Sequence, residues 1–445
     1  GLRVAVYNRT EARTREFMRQ VGARPIIPAY SLPQLVELVQ KPRAILILVA
    51  AGLPVDLVLK ELLPYLDPGD LLMDGGNSHF IDTNRRSKAL ARKGLSFIGL
   101  GISGGEEGAR YGPSLMPGGP RKAYDRVEPL LQAIAAKVNG EPCVAYMGAN
   151  SAGHYVKMVH NGIEYGLMQL LAETYDLMKR GLGLTAEELA EVYAGWNEGE
   201  LASYLMEITA RIFRRRDDET GQPLIDLIAD AAKQKGTGKW SSWDAMDLMV
   251  PTPTIDAAVA MRGLSSHRTE RQAASLVLRG PQLSFKGQRQ TFLQRLRKAL
   301  YASTIVTFAQ GLAQLREASV AYNYGVNLEA VAQVWRGGCI IRARLLEDIR
   351  AAFHARSDLP NLLLDPHLGR EVVSRTSDWR KVVKAAVDWG IPTPGLMVSL
   401  AYVDGYRSAW LPANLIQAQR DYFGAHTYER LDAEGTFHTD WQKEE

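Results

Sequence analysis

A chain of 445 residues, 46% of them hydrophobic, with a formal net charge of +4, has the balance of a globular protein of two or more domains. No Lys/Arg block stands out, which argues against a nucleic-acid-binding stripe but leaves room for a cationic pocket that takes a phosphorylated or carboxylated metabolite. No apolar run reaches the ~18 residues of a membrane span, no signal peptide is read at the start, and Cys143 and Cys339 supply neither a disulfide framework nor metal-ligand spacing, so small buried packing roles in a reducing cytosol are expected of them.

Short apolar runs at Arg3–Tyr7, Ala44–Val49, Leu71–Asp74, Leu95–Leu100 and Cys143–Met147 read as buried strands. Helical patterns at Glu11–Val21, Leu32–Val39 and Tyr124–Val138 lie between them. The alternation predicts a parallel sheet with helices on both faces over residues 1–150. The chain opens on what reads as the second element of such a fold, because no strand and glycine-rich loop precede it. At the end of a second strand an acid selects NAD and an arginine accommodates NADP; here Asn8-Arg9-Thr10 carries the arginine and no acid.

The turn Asp74-Gly75-Gly76-Asn77-Ser78 falls at a strand's carboxyl end, where open sheets bind ligands. Gly99-Leu-Gly101-Ile-Ser-Gly104 matches G-x-G-x-x-G after a strand. It is not read as a dinucleotide loop: Glu106, Glu107, Pro113 and Pro117 follow, with no expected helix onset to present amides to a pyrophosphate. Seven glycines between 101 and 119 nonetheless predict backbone lying close to a ligand.

From Ser151 to about Tyr406 strands disappear and helical patterns take over. In His154–Tyr165, helical spacing gathers Lys157, His160, Asn161, Glu164 and Tyr165 on one stripe and puts Val156, Val159 and Ile163 opposite. The apolar pattern runs on to Gly181, predicting a long buried helix. A buried face carrying an amine, a carboxylate, an imidazole and an amide needs partners or a polar ligand, and Lys with Glu suits a base–acid pair. A weak internal repeat relates Glu164–Met206 to Ala299–Ile349, through Gly183-Leu-Thr in one copy and Gly325-Val-Asn in the other. The second copy's helix lacks the polar stripe, so the fold does not demand it.

Lys235-Gly-Thr237-Gly-Lys-Trp240 is a basic loop suited to an anion, without the upstream glycine of a P-loop. Arg262 is a lone arginine among small residues, open to a structural ion pair or a ligand. From Leu411 onward, aromatics without clear periodicity suggest a segment that docks on a partner subunit.

Taken together, Lys157-Met-Val-His-Asn-Gly-Ile-Glu-Tyr165, Ile102-Ser-Gly-Gly-Glu-Glu-Gly-Ala-Arg110, Pro117-Gly-Gly119, Lys235–Trp240 and Gln419-Arg-Asp-Tyr-Phe-Gly-Ala-His426 resemble the 6-phosphogluconate dehydrogenase family over nearly the whole chain. The resemblance implies a Rossmann-like NADP-binding domain (1–150, incomplete at its start), an all-helical, internally duplicated domain for substrate and dimerisation (151–410), and a tail (411–445) reaching the partner's active site. It implies a cytoplasmic homodimer that carries out the metal-free, NADP-linked oxidative decarboxylation of 6-phosphogluconate to ribulose 5-phosphate and CO2. Lys157 would be the base and Glu164 the acid. Asn77, Ser103, Gly104, Gly105, His160, Asn161 and Tyr165 would bind substrate, with Lys235, Thr237 and Arg262 at its phosphate end and Arg420 and His426 reaching across from the partner. Asn8, Arg9, Thr10, Val49, Ala50, Ala51 and Asn77 would bind NADP, although Ala50-Ala51 replaces a lysine usual after the third strand. The alternatives are a truncated, non-catalytic dimeric sugar-phosphate-binding protein and a β-hydroxyacid dehydrogenase for a smaller substrate, against which the phosphate-suited Lys235, Arg262 and Arg420 argue.

Overall fold

Short apolar runs separated by amphipathic stretches give β1 (Val4–Tyr7), α1 (Glu11–Val21), β2 (Ile26–Ala29), α2 (Leu32–Leu38), β3 (Ala44–Ile47), α3 (Leu53–Leu62), β4 (Leu71–Asp74), α4 (Phe80–Ala91), β5 (Ser96–Ser103), α5 (Gly105–Tyr111), β6 (Ser114–Gly118) and α6 (Arg121–Ile134). This computed structural model describes residues 3–233, 236–281, 283 and 285–442. Strands β1 and β2 pair in parallel. The run β3-β4-β5 is also parallel, and β6 joins β5 antiparallel, from Gly99↔Gly118 to Ser103↔Ser114. The period-2 alternation of strand side chains builds two cores. Leu72 and Phe97 face Leu32, Val36 and Leu59 on one side, and Leu71, Met73, Ile98 and Leu100 face Tyr124, Val127 and Leu131 on the other.

Three local expectations need correction. Cys143–Met147 forms no strand: it runs beside β6 and is tied only at its ends, by Leu115 N donating to Cys143 O and Met147 N to Pro117 O. β6 itself carries a proline and ends in glycine, which disguised it, and it makes the sheet mixed rather than wholly parallel. A helix does begin after Gly104, at Gly105, because Gly104 adopts φ +117° and turns the chain out of β5.

The helical body comprises α7 (Ala152–Asp176), α8 (Ala186–Asn197), α9 (Tyr204–Arg214), α10 (Leu224–Leu227), α11 (Thr237–Asp247), α12 (Pro253–Ser266), α13 (Arg268–Val277), α14 (Arg289–Ala321), α15 (Leu328–Trp335), α16 (Leu345–Ala355), α17 (Pro366–Trp389), α18 (Pro394–Tyr406) and α19 (Ala413–Gly424). The long helix expected to reach Gly181 keeps α geometry to Asp176 and finishes in a π turn over Leu177–Gly181, where Gly181 sits against the Trp389 ring. The duplication is visible in the backbone. Gly183 (φ +69°) precedes the Thr185 cap of α8, and Gly325 (φ +68°) precedes the Asn327 cap of α15. In the second copy α14 buries Ala299, Ala302, Ser303 and Val306 at 0% exposure, with no lysine, histidine or glutamate among them. No helix among the described residues is long and apolar enough to cross a membrane.

The chain divides into two compact units, Gly1–Ser399 and Leu400–Glu445. In the second, α19 is followed by an antiparallel pairing of Tyr428–Glu429 with Thr436–Phe437.

Candidate active site

Helix α7 reaches the sheet because glycines clear its path. A Cβ on Gly101 would lie 2.6 Å from Lys157 Cβ and 2.8 Å from Gly153 O, and one on Gly118 would lie 2.1 Å from Gly153 N. One on Gly99 would meet the His154 ring at 2.9 Å. The first two glycines of the G-x-G-x-x-G stretch are thus the seat of a helix. The third, Gly104, passes under Gly338, whose carbonyl oxygen would be 2.5 Å from an added Cβ.

His154 locks the start of α7 to the sheet. The Asp74 carbonyl can only accept, so Nε2 carries the proton at 2.9 Å while Nδ1 faces Thr83 Oγ1 at 2.7 Å. Burial lowers the pKa of this ring. The carboxylate of Asp74 accepts from Gly76 N and Ser78 Oγ and shapes the adjoining turn. There Asn77, at φ +54°, pairs with the backbone of Ile102 in both directions, its Oδ1 accepting from Ile102 N at 3.0 Å and its Nδ2 donating to Ile102 O at 3.1 Å. The two ligand-suited loops are thereby held together, and Ser103 follows directly.

The polar stripe then assembles. His160 Nε2 lies 3.2 Å from Ser103 Oγ, and its Nδ1 lies 3.1 Å from Lys157 Nζ. Lys157 Nζ donates to Asn161 Oδ1 at 2.6 Å, and Asn161 Nδ2 donates to Thr237 Oγ1 at 2.8 Å. Glu164 Oε2 is 3.7 Å from His160 Nδ1. Arg262, on α12, lays its guanidinium 3.3 Å above the Tyr165 ring. The backs of these residues are dry: Val156, Val159 and Ile163 are fully buried.

Burial sets the protonation states. Lys157 is 6% exposed, and desolvation brings its amine down to about 8 despite the opposing pull of Glu164 and Cys339. Desolvation also raises Glu164, against the counter-pull of Lys157 and Arg262. His160 is pushed well below its ordinary value by burial and by the neighbouring Lys157, so it stays neutral. The site therefore holds an amine near 8 on the same helix face as a carboxyl raised above its ordinary value, an arrangement suited to proton transfer near neutral pH.

Of the residues expected in the site, Asn77, Ser103, Gly104, His160, Asn161, Lys157, Glu164, Tyr165, Thr237 and Arg262 share this connected region, and Gly105 (φ +58°) opens α5 beside it. Lys235 lies outside the described residues. Asn8, Arg9 and Thr10 are exposed at the end of β1, where Asn8 Oδ1 accepts from Thr10 N and α1 begins without a side-chain cap. Val49, Ala50 and Ala51 follow β3, and Val49 O would be 2.5 Å from a Cβ on Gly76, so this loop touches the Asp74–Ser78 turn. Arg420 and His426 belong to the second unit and are both exposed. Sequence reasoning missed Trp335, whose ring meets His160 edge-on at 5.8 Å, and Cys339, whose buried thiol is pushed up to about 12 by desolvation in spite of Lys157. Both lie at least 170 residues from α7's polar stripe, and no local periodicity signals them.

The comparisons with known proteins fall on this architecture. A family model described as the NAD binding domain of 6-phosphogluconate dehydrogenase matches residues 1–148, and one described as the 6-phosphogluconate dehydrogenase C-terminal domain matches residues 153–441. The NADP(+)-dependent, decarboxylating 6-phosphogluconate dehydrogenase of Bacillus subtilis is 51% identical over 444 residues, covering 100% of this chain and 95% of the relative. The decarboxylating enzyme of Synechococcus elongatus is 55% identical over 445 residues, covering 99% and 94%. Among solved structures, Plasmodium falciparum 6-phosphogluconate dehydrogenase, determined in its apo form, with its cofactor NADP+ and with its substrate 6-phosphogluconate, is 42% identical with a TM-score of 0.96, covering 99% of this chain and 95% of that one.

Proposed function

This chain belongs to the 6-phosphogluconate dehydrogenase family, and we propose that it oxidatively decarboxylates 6-phosphogluconate to ribulose 5-phosphate and CO2 with NADP+. The observation that carries the reading is the buried Lys157 amine, near 8 and hydrogen-bonded to Asn161, on the same helix face as a Glu164 whose carboxyl is raised.

NADP+ when bound accepts the hydride that leaves C3 of the sugar acid. The residues of this chain suit that cofactor: the exposed Arg9 cation, the Thr10 hydroxyl and the uncapped amides of α1 form a donor set for a 2′-phosphate, with Asn8 holding the turn. The backbone of Val49, Ala50 and Ala51 and the side chain of Asn77 would hold the cofactor further along, where Val49 O comes close to Gly76 of the Asp74–Ser78 turn.

Neutral Lys157 takes the proton of the C3 hydroxyl as C3 is oxidised. The β-keto acid so formed breaks its C1–C2 bond, and the carboxyl group departs as CO2. Protonated Lys157, anchored by Asn161, polarises the C3 keto oxygen and stabilises the enediol. Glu164 then delivers its proton to the former C2, now C1 of the enediol, and a proton returned through Lys157 resets the pair. Neutral His160 spans Ser103 and Lys157 and binds substrate hydroxyls together with Asn161. Ser103, Gly104 and Gly105 receive the substrate carboxylate, and Lys235, Thr237 and Arg262 its phosphate, with Tyr165 as the platform under Arg262.

In this reading residues 1–150 bind the cofactor, 151–410 bind substrate and form the subunit interface, and the tail 411–445 carries Arg420 and His426 into the partner's site. A homodimer is then the smallest working unit, and its address is the cytoplasm, for which the two unpaired, buried cysteines are the supporting observation. Following NADPH absorbance with this chain, 6-phosphogluconate and NADP+ tests the proposal. Substrate binding without any NADPH formation would overturn it.

A further inference from the structure

Asp421 is the one buried residue of α19, at 0% exposure, while Arg420, Tyr422, Phe423 and His426 around it face outward. Its carboxylate gathers four donors from later in the tail: Thr427 N at 2.9 Å and His438 Nδ1 at 2.9 Å on Oδ1, Thr439 N at 3.1 Å and Trp441 Nε1 at 2.8 Å on Oδ2. Its backbone carbonyl accepts Ala425 N at 2.9 Å. Between those anchors the chain makes a turn that residues bearing a Cβ rarely adopt, with Ala425 at φ +49° and Thr427 at φ +60°. His426 sits between the two. It folds back over Gly424, where a Cβ would lie 2.7 Å from the imidazole. Gln417 ties the same turn to α19, donating to Thr427 O at 2.6 Å and accepting from Arg420 Nη1 at 3.0 Å.

We propose that Asp421 is a positioning residue for substrate binding: it holds the Ala425–Thr427 turn so that His426 and Arg420 are set in advance for the 6-phosphogluconate of the partner's site. The proposal rests on the reading of the tail given above. The second unit organises these two side chains with its own contacts, so the ordering cost is met before docking. Burial opposes the charge on Asp421, but hydrogen bonds from His438, Thr439, Trp441 and Thr427 outweigh it and keep the group ionised. Asparagine cannot take over. Each oxygen faces two N–H donors, so the amide NH2 of Asp421→Asn meets donors whichever way it is turned.

The test is steady-state kinetics on the full-length dimer of Asp421→Asn, together with amide hydrogen exchange of residues 425–427. Losing preset contacts that bind substrate and transition state alike should raise KM for 6-phosphogluconate about ten-fold, with kcat and KM for NADP+ little changed. The 425–427 amides should exchange faster. Adding Asp421→Asn to His426→Ala should raise KM no further than about two-fold beyond His426→Ala alone. An unchanged KM, an equal fall in all parameters, or full additivity overturns the proposal. If Asp421→Asn does not assemble, His438→Ala removes one donor from a half-exposed side chain and should shift KM in the same direction by a smaller factor; no shift there is equally fatal. Absence of turnover in the unsubstituted chain would sink the activity reading and the substrate role with it, while unchanged exchange in the variant would sink the organising role alone.

Discussion

Lys157 Nζ and Asn161 Oδ1 lie 2.6 Å apart, one helical turn along α7, with Nζ almost wholly removed from solvent. A neutral amide oxygen is the acceptor that suits an amine proposed to act as a base. It orients Nζ without the charge that would trap its proton, and burial is left free to lower the pKa to about 8. The kcat/KM of the unsubstituted enzyme should rise with pH and level off above about 8, as the amine loses its proton.

Asn161→Asp puts a carboxylate on that contact. An opposite charge at hydrogen-bond distance favours the ammonium form, so the acidic limb of kcat/KM should move up by about 1 pH unit or more. The Asn161 donor to Thr237 is also lost. A pH profile superimposable on that of the unsubstituted enzyme would show that Asn161 does not set the charge state of the base.

Glu164→Gln acts in the opposite sense. The Glu164 carboxylate raises the pKa of Lys157, so removing its charge lets burial act with less opposition. The acidic limb should move to lower pH, while kcat falls about 10²–10⁴-fold through loss of the proposed acid. In single-turnover measurements NADPH and CO2 should appear ahead of ribulose 5-phosphate; an equal delay in all three would refute the role of Glu164 as the acid that acts after decarboxylation.

Lys157→Ala removes the proposed base and should lower hydride transfer by about 10³-fold or more while 6-phosphogluconate still binds. Binding is read by protection of the protein against thermal unfolding on adding the sugar phosphate. Near-normal turnover in this variant refutes the assignment.

Gly101→Ala probes the seat of α7. The new methyl would lie 2.6 Å from Lys157 Cβ and 2.8 Å from Gly153 O, in a contact with no solvent to yield into. Overpacking of this kind should cost roughly 1–3 kcal/mol of stability, read as a lowered Tm, and should reduce kcat by displacing the Lys157 amine. Gly105→Ala is a poor control, since its φ of +58° strains any side chain; Gly195→Ala, on α8 with open space around it, should leave both Tm and kcat nearly unchanged.

What was legible in the chain was whatever helical or strand periodicity writes locally. Glu11–Val21 appeared with its bounds intact, and the stripe from Lys157 to Tyr165 was readable because residues three and four apart share a helix face wherever the helix is placed. The motif order along the chain likewise pointed to the family. The purpose of Gly99 and Gly101 was not legible, because a glycine that clears a path for a helix and one that admits a phosphate look alike until the approaching element is known. Nor were α5, whose start depends on the left-handed turn at Gly104, and β6, which exists only through its pairing with β5. The protonation of the site belongs to the same class. Lysine by itself titrates near 10.4; Lys157 comes to about 8 because the folded chain buries it, with Gly101 of β5, distant in sequence, packed against its Cβ. Side-chain order on a helix is a property of neighbours in sequence, whereas desolvation is a property of neighbours in space, and only the folded chain supplies those.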